Sequence, residues 1–299
     1  MEARRPLDAI AMALMLLLSS LWGFQQVAVK LAAPGMSLVM QGAIRSGIAC
    51  ALVLVWARWR GISLWQRDGT LVPGVFAGLL FAGEFALIYA GLAYTTAARM
   101  VVFVYLAPAL TALGLAWFVP GEQLRAVQWT GVAVAFLGMI VAFGEGLSVD
   151  RTTLLGDIFG IGAAIGWAAT TVLIRATKLA RIAATRVLFY QLAVSAALLP
   201  LVSLALREPG VIALTPVTLA SLAFQSVVVA FASYLTWFWL LTRYLAGRLA
   251  VFSFLAPLFG VAFGYLVLGD RITPAFLAAA ALVGAGIVLV NSRAPPNSN

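Results

Sequence analysis

Few side chains in this 299-residue chain can do chemistry, and the missing ones are as informative as those present. There is no histidine, so imidazole general bases, HExxH metal sites and the usual Ser/His/Asp and Cys/His nucleophile sets are excluded. The single cysteine, Cys50, leaves no intrachain disulfide and no cysteine cluster for a metal. No GxxxxGK[ST] loop is present, so the chain carries no P-loop for ATP. What remains lies inside long apolar runs: the acids Glu84 and Asp157, and the base Arg45. An unpaired ion at such depth is expensive. Glu84 therefore either pairs with Arg45, backbone or water as a structural element, or takes up and releases a proton.

Binding chemistry is better represented. Trp22, Gln25 and Gln26 fall within about one helical turn, and Trp167, Thr170 and Thr171 repeat their spacing. Ser233, Tyr234 and Trp237 form a third set, with Glu84 and Tyr89 in the corresponding earlier run and Tyr105 in the run after it. An amide or hydroxyl buried in an apolar run needs a partner in protein, water or ligand. Such a lining suits a zwitterionic solute, with polar groups for its amino and carboxylate ends and rings for an apolar or aromatic side chain. Simple helix packing is the alternative for the Trp and Tyr residues. Few fixed charges lie among them, which disfavours phosphorylated or polyanionic solutes.

Two prolines sit near the middle of apolar runs. Pro108 and Pro257 each remove an N–H and clash with the carbonyl four residues back, that of Val104 and of Ser253, so both helices should bend or open there. They are read either as paired hinges or as static kinks.

The elements that must position these groups are membrane helices. The chain is 64% hydrophobic and 10% charged, with a mean hydropathy of +1.05, far from soluble domains. A crossing needs about 20 apolar residues. Breaks at Pro, Gly and charge place ten spans at about 7–33, 37–57, 71–94, 97–118, 126–143, 154–176, 184–206, 217–242, 247–268 and 274–292. The first apolar run is too long for a signal peptide. The net charge of +9 is scattered over span ends with no basic block, which excludes nucleic acid as a partner. With the amino terminus cytoplasmic, Arg4, Arg5, Arg58, Arg60, Arg67, Arg125, Lys178, Arg181, Arg186, Arg243, Arg248 and Arg293 fall on that side. Few fall opposite, chiefly Arg99, Arg151, Arg207 and Arg271, so both termini are expected inside.

The chain is also duplicated. Arg99, Phe103, Leu106, Ala107 and Pro108 recur as Arg248, Phe252, Leu255, Ala256 and Pro257, and Gly121-Glu122 corresponds to Gly269-Asp270. Residues 1–148 and 149–299 are the two expected units. Five spans per unit is an odd number, so the second unit starts on the opposite side and the repeats are inverted. Small-residue pairs, Gly74 with Gly78, Gly162 with Gly166 and Gly260 with Gly264, predict close helix contacts within the chain more than a dimer face.

These residues resemble the EamA-type branch of the drug/metabolite transporter superfamily. The likeness rests on Trp22-Gly23, the Leu-Ala-Pro units at 106–108 and 255–257, and Gly121-Glu122 and Gly269-Asp270 ahead of spans containing Gly131, Gly138, Gly284 and Gly286. Asp270 stands where the family more often has Glu. Among members the chain is most similar to bacterial amino-acid exporters of the YddG type.

The resemblance implies an all-α integral membrane protein of ten transmembrane helices in two inverted five-helix repeats. It implies export of neutral or aromatic amino acids and related metabolites across a bacterial inner membrane by alternating access, with no cofactor and no catalytic or metal residue. The cavity is expected between helices 1, 3, 4, 6, 8 and 9, with helices 5 and 10 at the periphery. The partners are a small-molecule solute and membrane lipid; the oligomeric state is left open. A transporter of another metabolite or drug is the runner-up, and an intramembrane lipid enzyme is disfavoured because only Glu84 and Asp157 are acids within spans.

Overall fold

The computed structural model of the chain describes residues 7–91, 94, 100, 103–143, 151–268 and 274–291. The expectations placed on Arg4, Arg5, Arg99, Gly269, Asp270, Arg271 and Arg293, and on the side chains of Gln26 and Arg151, lie outside the described residues.

Ten helical spans follow one another: α1 (Ala9–Ala32), α2 (Leu38–Trp59), α3 (Leu71–Gly91), α4 (Ala107–Phe118), α5 (Ala126–Phe143), α6 (Arg151–Ala176), α7 (Ala184–Ala205), α8 (Pro216–Arg243), α9 (Ala246–Phe252, Leu255–Phe263 and Gly264–Leu268) and α10 (Pro274–Asn291). Among the described residues, seven are long and apolar enough to cross a membrane; α4, α5 and α10 supply shorter apolar helices. The fold is all-α, in two inverted five-helix repeats, α1–α5 and α6–α10.

The packing follows the inversion. The first helix of each repeat packs on the fourth of the other, α1 on α9 and α6 on α4, and the third of each on the first of the other, α3 on α6 and α8 on α1. The self-related pairs α2·α7, α4·α9 and α5·α10 lie along the pseudo-two-fold axis. In the last of these, a Cβ added at Gly286 would stand 2.5 Å from the Gly131 carbonyl oxygen, so backbone meets backbone and only glycine fits. The small-residue pairs 74/78 and 162/166 are likewise spent within the chain, against Tyr190 and Val194 of α7 and against Leu80, Glu84 and Leu87 of α3.

Helix ends are fixed by polar side chains. Asp8 caps α1, accepting from Ala11 N at 2.8 Å and from the Tyr244 hydroxyl at 2.8 Å. Glu208, from the α7–α8 connection, caps α2 by accepting from Val39 N and Met40 N at 3.1 and 3.2 Å, a carboxylate at a helix N-terminus.

Three spans depart from regular α-helix. The segment leading into α4 turns at Tyr105–Leu106, and α9 turns at Ser253–Phe254, within one residue of corresponding places. Both turns precede the prolines, as the loss of the i→i−4 bond requires. In α8 the stretch Phe224–Ser233 is π-helical, an opening that no proline forecasts.

Candidate functional site

The helices converge on one cavity. Trp22 and Gln25 come from α1; Phe81, Glu84, Phe85 and Ile88 from α3; Val104 and Tyr105 from the turn before α4. Trp167, Thr170 and Thr171 come from α6, Gln191 from α7, and Tyr234, Trp237 and Phe238 from α8. About 140 Å³ inside it is open to water. One water takes roughly 10–15 Å³ of such space, so the cavity holds on the order of ten waters or one small organic solute.

Its walls are aromatic and interlocked. The Trp22 ring meets Trp237 edge-on at 5.7 Å and Tyr234 at 6.5 Å; Phe81 meets Tyr234 at 5.9 Å; Tyr105 meets Trp167 at 5.6 Å. The Trp22 Nε1 donates to Ser233 Oγ at 3.0 Å, and Ser233 Oγ donates to the Val229 carbonyl at 2.6 Å. The widened turns of the π segment place this hydroxyl, so α1 and α8 are tied at the cavity wall.

The polar groups divide into spent and unspent. Thr170 and Thr171 donate back to the Gly166 and Trp167 carbonyls at 2.8 and 3.2 Å, leaving oxygen lone pairs for a ligand. Gln191 is fully buried, and neither its Oε1 nor its Nε2 has a hydrogen-bond partner. Glu84 makes no hydrogen bond or ion pair with any described residue. A direct Glu84–Arg45 ion pair, one sequence reading of these two residues, does not form. The Arg45 guanidinium lies over the Phe85 ring, 4.4 Å from its centroid, with Tyr234, Tyr89 and Glu84 as its ionisable neighbours.

Of the residues singled out in the sequence, Trp22, Gln25, Glu84, Tyr105, Trp167, Thr170, Thr171, Tyr234 and Trp237 line this one cavity. Ser233 stands behind it as the partner of Trp22, and Tyr89 packs with Phe85 and Leu199 outside the lining. The expected helix set needs one correction. α7 contributes through Gln191, and α9 contributes nothing to the lining, because its turn at Ser253–Phe254 packs on α1, where the Ser19 hydroxyl donates to the Phe252 carbonyl at 3.0 Å. Pro108 and Pro257 are both buried beside their turns.

The bundle end at which α1 begins and α10 ends is closed below the cavity. Glu122, after α4, forms an ion pair with Arg175 of α6 and accepts from Ala246 N of α9 at 3.0 Å. Arg175 also donates to the Leu241 carbonyl of α8 at 2.6 Å. Arg175 lies four residues beyond Thr171, and Leu241 three beyond Phe238, so these ties run about one turn under the cavity floor. At the same end Arg186 Nη1 and Nη2 donate to Asp68 at 2.7 and 2.8 Å. These bonds, with one from the Thr70 hydroxyl, hold the Asp68 carboxyl well below its ordinary range.

Set beside known sequences, both halves of this arrangement match one family. A profile described as "EamA-like transporter family" fits residues 9–144 and again residues 154–292. The chain belongs to the EamA-like transporter family. Two curated relatives are each named "Probable amino-acid metabolite efflux pump". The one from Salmonella typhimurium is 26% identical and the one from Escherichia coli K12 25% identical, both over 286 residues covering 92% of this chain and 93% of theirs. A solved crystal structure, 24% identical, superposes with a TM-score of 0.80 over 94% of this chain and 96% of that one, and so shares the fold.

As an EamA-like protein, the chain is a multi-pass membrane transporter. Sequence reasoning missed Phe81, Phe85, Ile88, Val104, Gln191 and Phe238 in its cavity. Gln191 carried a usable signal, an amide in the apolar stretch Val187–Leu199. The phenylalanines carried none, since a membrane helix is apolar on its lipid face and on its inner face alike.

Proposed function

We propose that this protein exports amino acids, neutral and aromatic ones foremost, with related small metabolites, by alternating access across the inner membrane of a bacterium, both termini in the cytoplasm. The observation that carries the reading is the cavity itself. It offers an aromatic wall for a side chain, the Glu84 carboxyl group for an amino group, and an unpaired amide in Gln191 with the Thr170 and Thr171 oxygens for the remaining polar atoms. Buried polar groups left without partners are stabilised by a ligand that completes them. The names of the two enterobacterial relatives support the same solute class.

In this reading the cavity opens toward the periplasm, because the ion pair of Glu122 with Arg175 and the bond of Arg175 to Leu241 close the end below it. Export requires those ties to part. The turns before Pro108 and Pro257 are the places where α4 and α9 flex, and they lie at corresponding positions of the two repeats. The protein is read as a carrier, in line with the efflux-pump names of its relatives, and Glu84 is the one carboxyl group among the described residues that line the cavity. The test is made in cells loaded with a phenylalanine-containing dipeptide. Expression of the protein raises the rate at which free phenylalanine appears outside, and Trp167→Ala returns it to the level of cells without the protein. Equal efflux with and without the protein contradicts the reading.

A further inference from the structure

A second concavity lies at the end of the bundle where α1 begins and α10 ends, between the last turn of α2, the α6–α7 connection and the last turn of α8. About 580 Å³ of it is open to water, and three arginines, Arg60, Arg181 and Arg243, share it with Trp56 and Trp239. No Asp or Glu is among its lining residues. The Arg60 guanidinium lies over the Trp56 ring at 5.5 Å from the centroid, and that of Arg243 over Trp239 at 4.7 Å. None of the three guanidinium groups makes a hydrogen bond or ion pair with a described residue.

Span-end arginines are ordinary topology charges, normally spread apart in water. Here three converge on one concavity without an acid among them, and an anion between them removes their mutual repulsion. The neighbouring Arg186 shows the contrast, since it is spent on Asp68. The vertical order also matters. Trp56 lies three residues inside the end of α2 and Trp239 four residues before Arg243, while the guanidinium groups stand at or past the helix ends. Apolar, then indole, then cationic is the sequence of environments from acyl chain to headgroup.

The groove is specific to one side of the membrane. α2 and α7 correspond residue for residue, each 22 residues long. The places of Trp56 and Arg60 are taken in the second repeat by Val202 and Leu206, at the opposite end of the bundle. The repeat architecture alone therefore does not produce the basic groove.

We propose that this groove is a headgroup site for an anionic phospholipid, with its phosphate on Arg60, Arg181 and Arg243 and the start of an acyl chain over Trp56, Trp239 and Leu235. An occupant there touches α2 of the first repeat and α7 and α8 of the second, and so stabilises the closed arrangement of this end.

The test measures the melting temperature and lipid retention by native mass spectrometry of the purified full chain, titrated with phosphatidylglycerol, phosphatidylcholine or inorganic phosphate. Phosphatidylglycerol is expected to raise the melting temperature and remain bound, with the other two causing little change. Replacing all three arginines with Gln weakens phosphatidylglycerol by about a hundredfold, at roughly fivefold per arginine. The control Arg58→Gln with Arg67→Gln, arginines of the same side outside the groove, keeps most of the affinity. Three results overturn the proposal: phosphatidylcholine acting as well as phosphatidylglycerol, the control losing as much as the groove variant, or inorganic phosphate alone giving the full effect, which would mark a soluble-anion site. The lipid comparison on the wild type needs no variant to fold, and Arg181→Gln alone serves if the triple variant does not.

Discussion

Arg45 and Gln191 are each the eighth residue of the second helix of their repeat, and both are fully buried. The two repeats thus place a buried polar group at the same position, one resting on Phe85 and the other, with neither amide atom hydrogen-bonded, lining the cavity. An unsatisfied buried amide costs about 1–3 kcal/mol. Gln191→Met, close in shape, is expected to raise unfolding stability by that order while lowering phenylalanine transport severalfold, read by chemical denaturation in micelles and by uptake into proteoliposomes. Loss of stability together with transport would make Gln191 a packing residue.

The ion pair of Glu122 with Arg175 joins the ends of α4 and α6 out of water. Removing one partner weakens what compensates the other buried charge, whereas neutralising both is far less costly. Arg175→Met should therefore destabilise strongly, and Glu122→Gln combined with Arg175→Met should recover most of the loss. A double-mutant cycle in the same denaturation assay checks this; additive losses would show that the pair is not coupled.

Pro108→Ala and Pro257→Ala restore an N–H where the helices now turn. Each is expected to slow transport about tenfold, equivalent to ~1.4 kcal/mol on the barrier, while the amount of folded protein in the membrane stays near wild type. Equal losses of protein and transport would leave the prolines as static kinks.

Asp68 is held below the ordinary carboxyl value of 3.8 first by Arg186 and then by Thr70. A depressed folded-state value means that its contribution is complete above that ordinary value and fades only as pH falls through the lower one. Asp68→Asn should therefore lower the melting temperature by the same interval at every pH from 8 to 5. An interval that shrinks between pH 7 and 5 would contradict the assignment.

Much of this structure was legible in the sequence because the membrane imposes lengths. Ten apolar runs of crossing length, a Leu-Ala-Pro unit repeated at one offset and an odd span count per repeat lead to the inverted bundle without further information. Trp22, Trp167 and Trp237 were legible as cavity residues because polar neighbours at helical spacing accompany them. The π segment at Phe224–Ser233, which packs on α1 and α2, was not, since no residue type requires it. The exchange of α9 for α7 in the lining had a similar origin. The proline turn of α9 is spent on Ser19 of α1, a contact across 233 residues that no local pattern reports.

The central claim, a carrier for amino acids, is tested most directly by counterflow in proteoliposomes. Vesicles preloaded with unlabelled L-phenylalanine and diluted into labelled L-phenylalanine should show a transient, saturable overshoot of label, absent with Trp167→Ala and absent when the preload is an unrelated cationic drug. A wild-type protein that exchanges the labelled drug but not the amino acid would contradict the account.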